Sequence, residues 1–530
     1  MFKKILLMML IFFFAFNGYN PASADVAKVK LGDEMLFSKY HDLIYGKNVG
    51  LVTNQTGVNS QGESIIDVIS SDNTVKLTAI YTPEHGLDGL AAAGKYVESY
   101  THPKLGIPVY SLYGETRMPT EKMLKGIDVL VFDIQDIGSR TYTYMSTLNY
   151  CMVAAKKYGK TVIVLDRPNP LGGETVYGPM LKDSYITFVG VDNLPMAHGM
   201  TAGELAQFFN RKIQADLKVV PMEGYKRDMV FQDTGLPWKM TSPNIPDLDA
   251  AFGYMATGLG EGTGIFMGDK FKWIGGKGID SQKFGELLNN SGLPGVKFVP
   301  EIRGTAGGVR LQITDYHTFN PAKSGFYALA YAHSLNNFSV PKSDGKAIPM
   351  FEKIMGSDEV GKYLDAGMTP KEIDAKFALG LEKFKNEREN YLIYKDNSKP
   401  NQPIPSKPTS PTNTKNAVSI IVSGTTISTD IDPYINTDNR VMLPLRAIAE
   451  ALSATVTWNT HNSTINIVKD EIALEFTINK NSVIVNGMVK KIDSPPVLRQ
   501  NRTMIPLRAA AELLGVSVNW DAKGKIVNIY

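Results

Sequence analysis

Five runs rich in Val, Ile and Leu recur between residues 47 and 170: "NVGLVTNQTG" (48–57), "VKLTAIYTPEHG" (75–86), "IPVYSLYG" (107–114), "IDVLVFDIQDIG" (127–138) and "TVIVLDRPNP" (161–170). Each is short, β-branched and closed by a polar turn, as expected of strands buried on both faces. Helical stretches are expected between them at about 62–70, 121–125 and 142–158. Buried strands alternating with helices imply a parallel sheet covered on both sides. The expected fold class is therefore α/β. A Rossmann-like parallel-sheet subdomain spans 25–177, and a smaller α+β subdomain over 178–394 completes a cleft.

The strand ends carry the chemistry. In an open parallel sheet, ligands bind beyond the carboxyl ends of the strands. Here those ends read Thr53-Asn-Gln-Thr-Gly57, Thr82-Pro-Glu-His-Gly86, Tyr113-Gly-Glu115, Asp133-Ile-Gln-Asp136 (followed by Ser139, Arg140, Tyr142 and Tyr144) and Asp166-Arg-Pro-Asn169. Carboxylates, amides, tyrosines and arginines gathered on one edge are costly to bury and point to a polar ligand.

A nucleotide is excluded on motif grounds. The first strand runs into "TNQTGVNS" rather than G-x-G-x-x-G, no Walker A sequence occurs, and the Gly-rich 258–264 lacks the lysine. A net charge of +3 with no basic cluster argues against nucleic acid. A hydroxyl-rich sugar suits the residue types better. Glycoside hydrolysis asks for a proton donor and a second carboxylate or other group to support an oxocarbenium-like transition state. Glu84, held between Pro83 and Gly86, is the best acid/base candidate, with His85 and Asp88 beside it to orient or tune it. Asp133, Asp136, Asp166 and Glu261 compete for the second acidic role. A metal triad of Glu84, His85 and Asp88 matches no strong ligand spacing. Serine chemistry lacks a G-x-S-x-G elbow; Ser111 and Ser139 have no activating neighbour in sequence.

Outside this region, "MFKK", the apolar run 5–16 and Ala22-Ser-Ala24 read as a secretory signal peptide over 1–24, so the protein is expected to be secreted or wall-associated. Residues 395–416, rich in Pro, Ser, Thr, Asn and Lys, cannot bury a core and form a linker. Residues 417–530 hold an internal repeat: "RVMLPLRAIAEAL" (440–452) matches "RTMIPLRAAAELL" (502–514) at an offset of 62, and Trp458 matches Trp520. Each unit reads as a strand, a helix and two strands. Cys151, the only cysteine, reads as a buried apolar residue.

Taken together, "VGLVTNQTGV", "YTPEHGLDG", "IPVYSLYG", "DVLVFDIQDIGSRTYTY", "LDRPNPLGG", "GPML", "LPMAHGMTAGELA" and "SPNIP" resemble the exo-β-N-acetylmuramidase family, long carried as a domain of unknown function. The resemblance covers about 46–394 and implies release of N-acetylmuramic acid from non-reducing ends of peptidoglycan fragments, in cell-wall turnover. It places the family's catalytic glutamate, within P-E-H-G, on Glu84. The substrate-binding residues then expected are Asn54, Gln55, His85, Asp133, Gln135, Asp136, Arg140, Tyr142, Asp166, Arg167, Asn169, His198, Asn244 and Glu261, with no metal and no cofactor. Arg140 or Arg167 is expected to pair with the lactyl carboxylate of muramic acid. Glu204 is expected either at the ligand or exposed in a helix's first turn, and Trp238 and Trp273 in the core in preference to stacking on a sugar.

One departure stands out. After Glu261-Gly-Thr263 this chain reads "GIFMGDKFKWIGG", where the family pattern carries an arginine and several hydroxyls; this bears on substrate preference and activity. The C-terminal repeat resembles the copper amine oxidase N-terminal-like, or stalk, module. With His461 its only histidine it offers no copper site, and it is expected to be a wall attachment or a spacer. Two other readings stay open at this level: a non-catalytic wall-glycan binder, and an esterase or deacetylase acting on wall glycans.

Overall fold

Alternate residues of each apolar run go to opposite faces of one sheet. In β5 (Val129–Asp133), Val129 and Val131 join one core while Leu130 and Phe132 join the other. In β6 (Thr161–Leu165), Ile163 and Leu165 divide from Val162 and Val164 in the same way. This is why the runs lack polar alternation: both faces are covered. These assignments come from a computed structural model that describes residues 29–394 continuously and much of 419–529 in segments. The expected signal peptide and linker lie outside the described residues.

The other strands of the sheet are β1 (Asn48–Thr53), β2 (Lys76–Thr82), β3 (Tyr100–Thr101), β4 (Pro108–Ser111) and β7 (Asp216–Val220). The order is β3-β4-β2-β1-β5-β6-β7, with every pairing parallel except that of the two-residue edge strand β3. Strand order reverses between β1 and β5, which makes their carboxyl ends the switch point where a crevice opens.

Helices α1 (Gly32–Lys39) and α2 (Ile65–Ser71) cover one face. On the other lie α3 (Tyr144–Tyr158), ended by Gly159 in the left-handed conformation, and α4 (Ala202–Ile213), whose capping box pairs Thr201 with Glu204.

Two expectations are corrected. Residues 121–125 form turns, not a helix. The parallel sheet also does not stop at residue 177, because α4 leads back into β7, which pairs with β6. That strand, "DLKVV", is half-exposed at the sheet edge and so lacks the apolar signature of its neighbours. Beyond it, α5 (Leu248–Thr257), α6 (Ser281–Asn289) and α7 (Pro321–Asn336) pack with an antiparallel sheet. Its strands β8 (Ile265–Gly268), β9 (Trp273–Lys277), β10 (Val296–Arg303) and β11 (Ala306–Ile313) run in the order β10-β11-β9-β8. Trp273 is fully buried there, its indole N–H donating to the Glu301 carbonyl at 3.2 Å, and Trp238 packs edge-on against Phe231. Cys151 is buried in the main core, and burial pushes its thiol up.

The chain divides into two units, 1–404 and 405–530. In the second, the first strands of the two repeats pair antiparallel, with Leu443 opposite Ile505, its own repeat equivalent. Met442 faces Pro506 and Pro444 faces Met504, so the repeats meet about a local two-fold. The two later strands of each repeat form as expected, at Thr455–Asn459 with Thr464–Lys469 and at Val518–Asp521 with Ile526–Ile529. The expected repeat helices fall almost wholly outside the described residues.

Candidate active site

β2 ends at Thr82, and Pro83 turns the chain so that Glu84 enters the crevice, only 8 % exposed. One carboxylate oxygen, Oε1, accepts from the Gly94 N–H at 2.8 Å, and the other, Oε2, accepts from the Thr143 hydroxyl at 2.6 Å. Thr143 is the residue before α3, so the helix end itself fixes the carboxylate. His85 holds a positive φ of 71°, an unusual conformation for a non-glycine residue, and its Nδ1 lies 2.6 Å from the Ala91 carbonyl. That bond folds residues 86–94 back over Glu84 and delivers the Gly94 amide. His85 thus positions the acid.

Three phenols surround Glu84. Tyr113 is pushed up to about 12 by burial and by the Glu84 charge beside it. Tyr144 is raised well above the usual phenol range, mainly by burial. Tyr254, on α5, is raised to about 12 by burial, with Glu84, Asp136 and Glu261 all contributing charge. These phenols stay protonated near neutrality and act as hydrogen-bond donors.

The four carboxylates competing for the second role now separate. Asp133 is locked to Arg167 through two bonds of 2.5 and 2.8 Å. Asp166 accepts from Arg167 N, Thr201 Oγ1, Gly203 N and Tyr394 Oη. Both are structural. Asp136 accepts from the Gly138 N–H through Oδ2, which lies 3.7 Å from His198 Nε2. Its Oδ1 and the His198 Nε2 are buried with no hydrogen-bond partner, as are Asn54 Nδ2 and Gln55 Oε1. Buried polar atoms seldom stay unpaired, so these four are the natural contacts of a polar ligand. Glu261 is exposed.

Other expected binders turn out to be braces. The Arg140 guanidinium is buried and donates to the carbonyls of Pro179, Leu194 and Ile354, so it is not offered to a carboxylate. Arg167 is consumed by Asp133, Asp33 and the Val58 carbonyl. Gln135 donates to the Asp136 and Pro168 carbonyls, and Asn169 to that of Met200. Gln55 Nε2 and the hydroxyls of Tyr142 and Tyr144 tether residues 240–241, just ahead of the exposed Asn244. Glu204 is neither at the ligand nor exposed: it is fully buried and paired with Arg227. The departing segment after Thr263 forms the β8–β9 hairpin, and its Phe271 packs on Tyr254 at 4.9 Å. Sequence reasoning did not single out Thr143, Tyr254 or the Gly94 amide. Position just before a helix at the ligand edge is the signal that marks Thr143.

Asp166 carries a pH prediction. Burial raises its carboxyl to about 7, against an unfolded value of about 3.9. The folded state therefore holds a proton that the unfolded chain has released across that window. Stability from this group falls as pH rises from about 4 to 7, by about 1.4 kcal/mol per unit at the steepest. The Asp166→Asn variant should lose this slope, so its stability relative to the unsubstituted protein should rise between pH 5 and 7 in urea unfolding.

Comparison with known proteins agrees with this architecture. Residues 49–249 match the family model described as exo-β-N-acetylmuramidase NamZ, N-terminal; residues 252–394 match its C-terminal counterpart; residues 421–529 match the copper amine oxidase N-terminal domain. The peptidoglycan β-N-acetylmuramidase NamZ of Bacillus subtilis (strain 168) is 41% identical over 389 residues, covering 70% of this chain and 93% of that protein. A crystal structure of a DUF1343 family protein from Bacteroides fragilis NCTC 9343 superposes with a TM-score of 0.60 at 34% identity, covering 69% of this chain and 99% of that one. A second protein of the same family and organism gives 0.53 at 28%, covering 70% and 100%.

Proposed function

The chain belongs to the exo-β-N-acetylmuramidase NamZ family, and from that premise we propose that it is a glycoside hydrolase releasing N-acetylmuramic acid from the non-reducing ends of peptidoglycan fragments. The observation that carries this reading is Glu84: a buried carboxyl group on a rigid turn, fixed through both oxygens, at the end of the strand beside the switch point of the sheet. In the proposed reaction Glu84 protonates the glycosidic oxygen as its bond to C1 breaks; water supplies the hydroxyl that ends on C1, and the proton it sheds returns the Glu84 carboxylate to the acid. Asp136, with a free buried oxygen and His198 beside it, is the carboxylate left to support the developing positive charge. Tyr113 and Tyr254 are the phenols left to donate hydrogen bonds there, the Tyr144 hydroxyl being held by the Thr241 carbonyl.

The leader-like residues 1–24 and a wall-derived substrate support action outside the cytoplasm, in cell-wall turnover. Residues 417–530 would serve as an attachment to the wall or a spacer. The test is digestion of muramyl-terminated glycan fragments, followed by separation of the products. Single N-acetylmuramic acid residues and shortened fragments support the reading; internal cleavage into larger pieces counts against it.

A further inference from the structure

Arg117 is not among the groups that hold Glu84 in place. Its guanidinium carbon lies 3.3 Å from the centroid of the Tyr113 ring, on which it stacks, and 4.7 Å from that of Phe188, whose ring is tilted against Tyr113 and flanks it. Nη1 is buried and has no hydrogen-bond partner, and no carboxylate among the described residues comes within ion-pair distance of Arg117. Stacking of this kind fixes the plane of a guanidinium while leaving its N–H fork free. The ring that carries it is the one whose phenol faces Glu84. An unpaired, pre-oriented cation therefore sits one tyrosine ring away from the proposed acid.

We propose that Arg117 recognises the lactyl carboxylate of the muramyl sugar and so sets the preference for muramic acid over glucosamine. This rests on the muramidase reading of the same site. The chemistry fits: the lactyl ether on O3 places a carboxylate about one sugar ring's breadth from the glycosidic oxygen that Glu84 protonates. A planar carboxylate is the natural partner of a stacked guanidinium that has no carboxylate of its own. The two arginines expected from sequence to fill this role are both tied to other protein groups. A site whose cation has no protein carboxylate to pair with favours a ligand that brings the matching anion over one that lacks it.

The test measures binding by calorimetry, separately from hydrolysis. The unsubstituted protein should bind N-acetylmuramic acid about ten-fold or more tighter than N-acetylglucosamine. Arg117→Met should bring the two affinities together, and Arg117→Lys should keep part of the difference. Methylating the lactyl carboxylate should cost the unsubstituted protein as much as Arg117→Met costs for the free acid. That arm needs no variant and decides the matter if Arg117→Met does not fold. Preference retained in Arg117→Met, or absent from the unsubstituted protein, overturns the proposal. A muramic-acid preference that depends on Arg117, with no hydrolysis of any muramyl glycoside, would sink the functional reading and leave this one standing.

Discussion

The Glu84→Gln variant should lower kcat on a muramyl disaccharide by about 10²–10⁴-fold, the range expected for losing a general acid. Affinity for free N-acetylmuramic acid should change little. The amide carbonyl can still accept from the Gly94 N–H, and the Thr143 hydroxyl can rotate to accept from the new NH₂, so the turn should hold. A loss in kcat without a loss of binding marks a group that acts in the transition state. The effect should also depend on the leaving group. A chromogenic phenol leaves without much protonation, so the loss should be smaller on a chromogenic muramide than on the disaccharide. Equal losses on both would mean that Glu84 does something other than protonate the departing oxygen.

The Arg167→Ala variant should destabilise the fold by about 3–5 kcal/mol, the cost of breaking a buried ion pair and stranding its partner. Arg167 is 4% exposed and Asp133 is fully buried, so neither has water to fall back on. Asp33, raised to about 7 chiefly by burial and held down by Arg167, would lose that cationic counterweight. Chemical denaturation of the variant is the measurement. A sugar-binding arginine would behave in the opposite way, losing affinity at unchanged stability.

Arg167 also shows where sequence reading stops. The sheet was legible because five buried strands write their apolar runs directly into the sequence, and their turns mark the ligand edge without any coordinates. Glu84 was legible for the same reason: proline, glycine and a strand end leave few other uses for a carboxylate there. What the sequence could not separate is a polar residue that faces a ligand from one that faces another polar residue. Asp133 and Arg167 lie 34 positions apart yet consume each other. Arg140 is spent on carbonyls from three separate segments, the farthest 214 residues away. Only the folded chain brings such partners together. The edge strand β7 was missed because half its residues face water and its pattern resembles a surface loop. Arg117 was not legible because its stacking on Tyr113 and its lack of a carboxylate partner are properties of the folded chain, which no motif records.

The most direct test of the central claim is incubation of the unsubstituted protein with a disaccharide of N-acetylmuramic acid β-linked to N-acetylglucosamine, with every product quantified. The account predicts the two free monosaccharides in equal amounts and no acetate. An intact disaccharide, or acetate released with the glycosidic bond preserved, would contradict it.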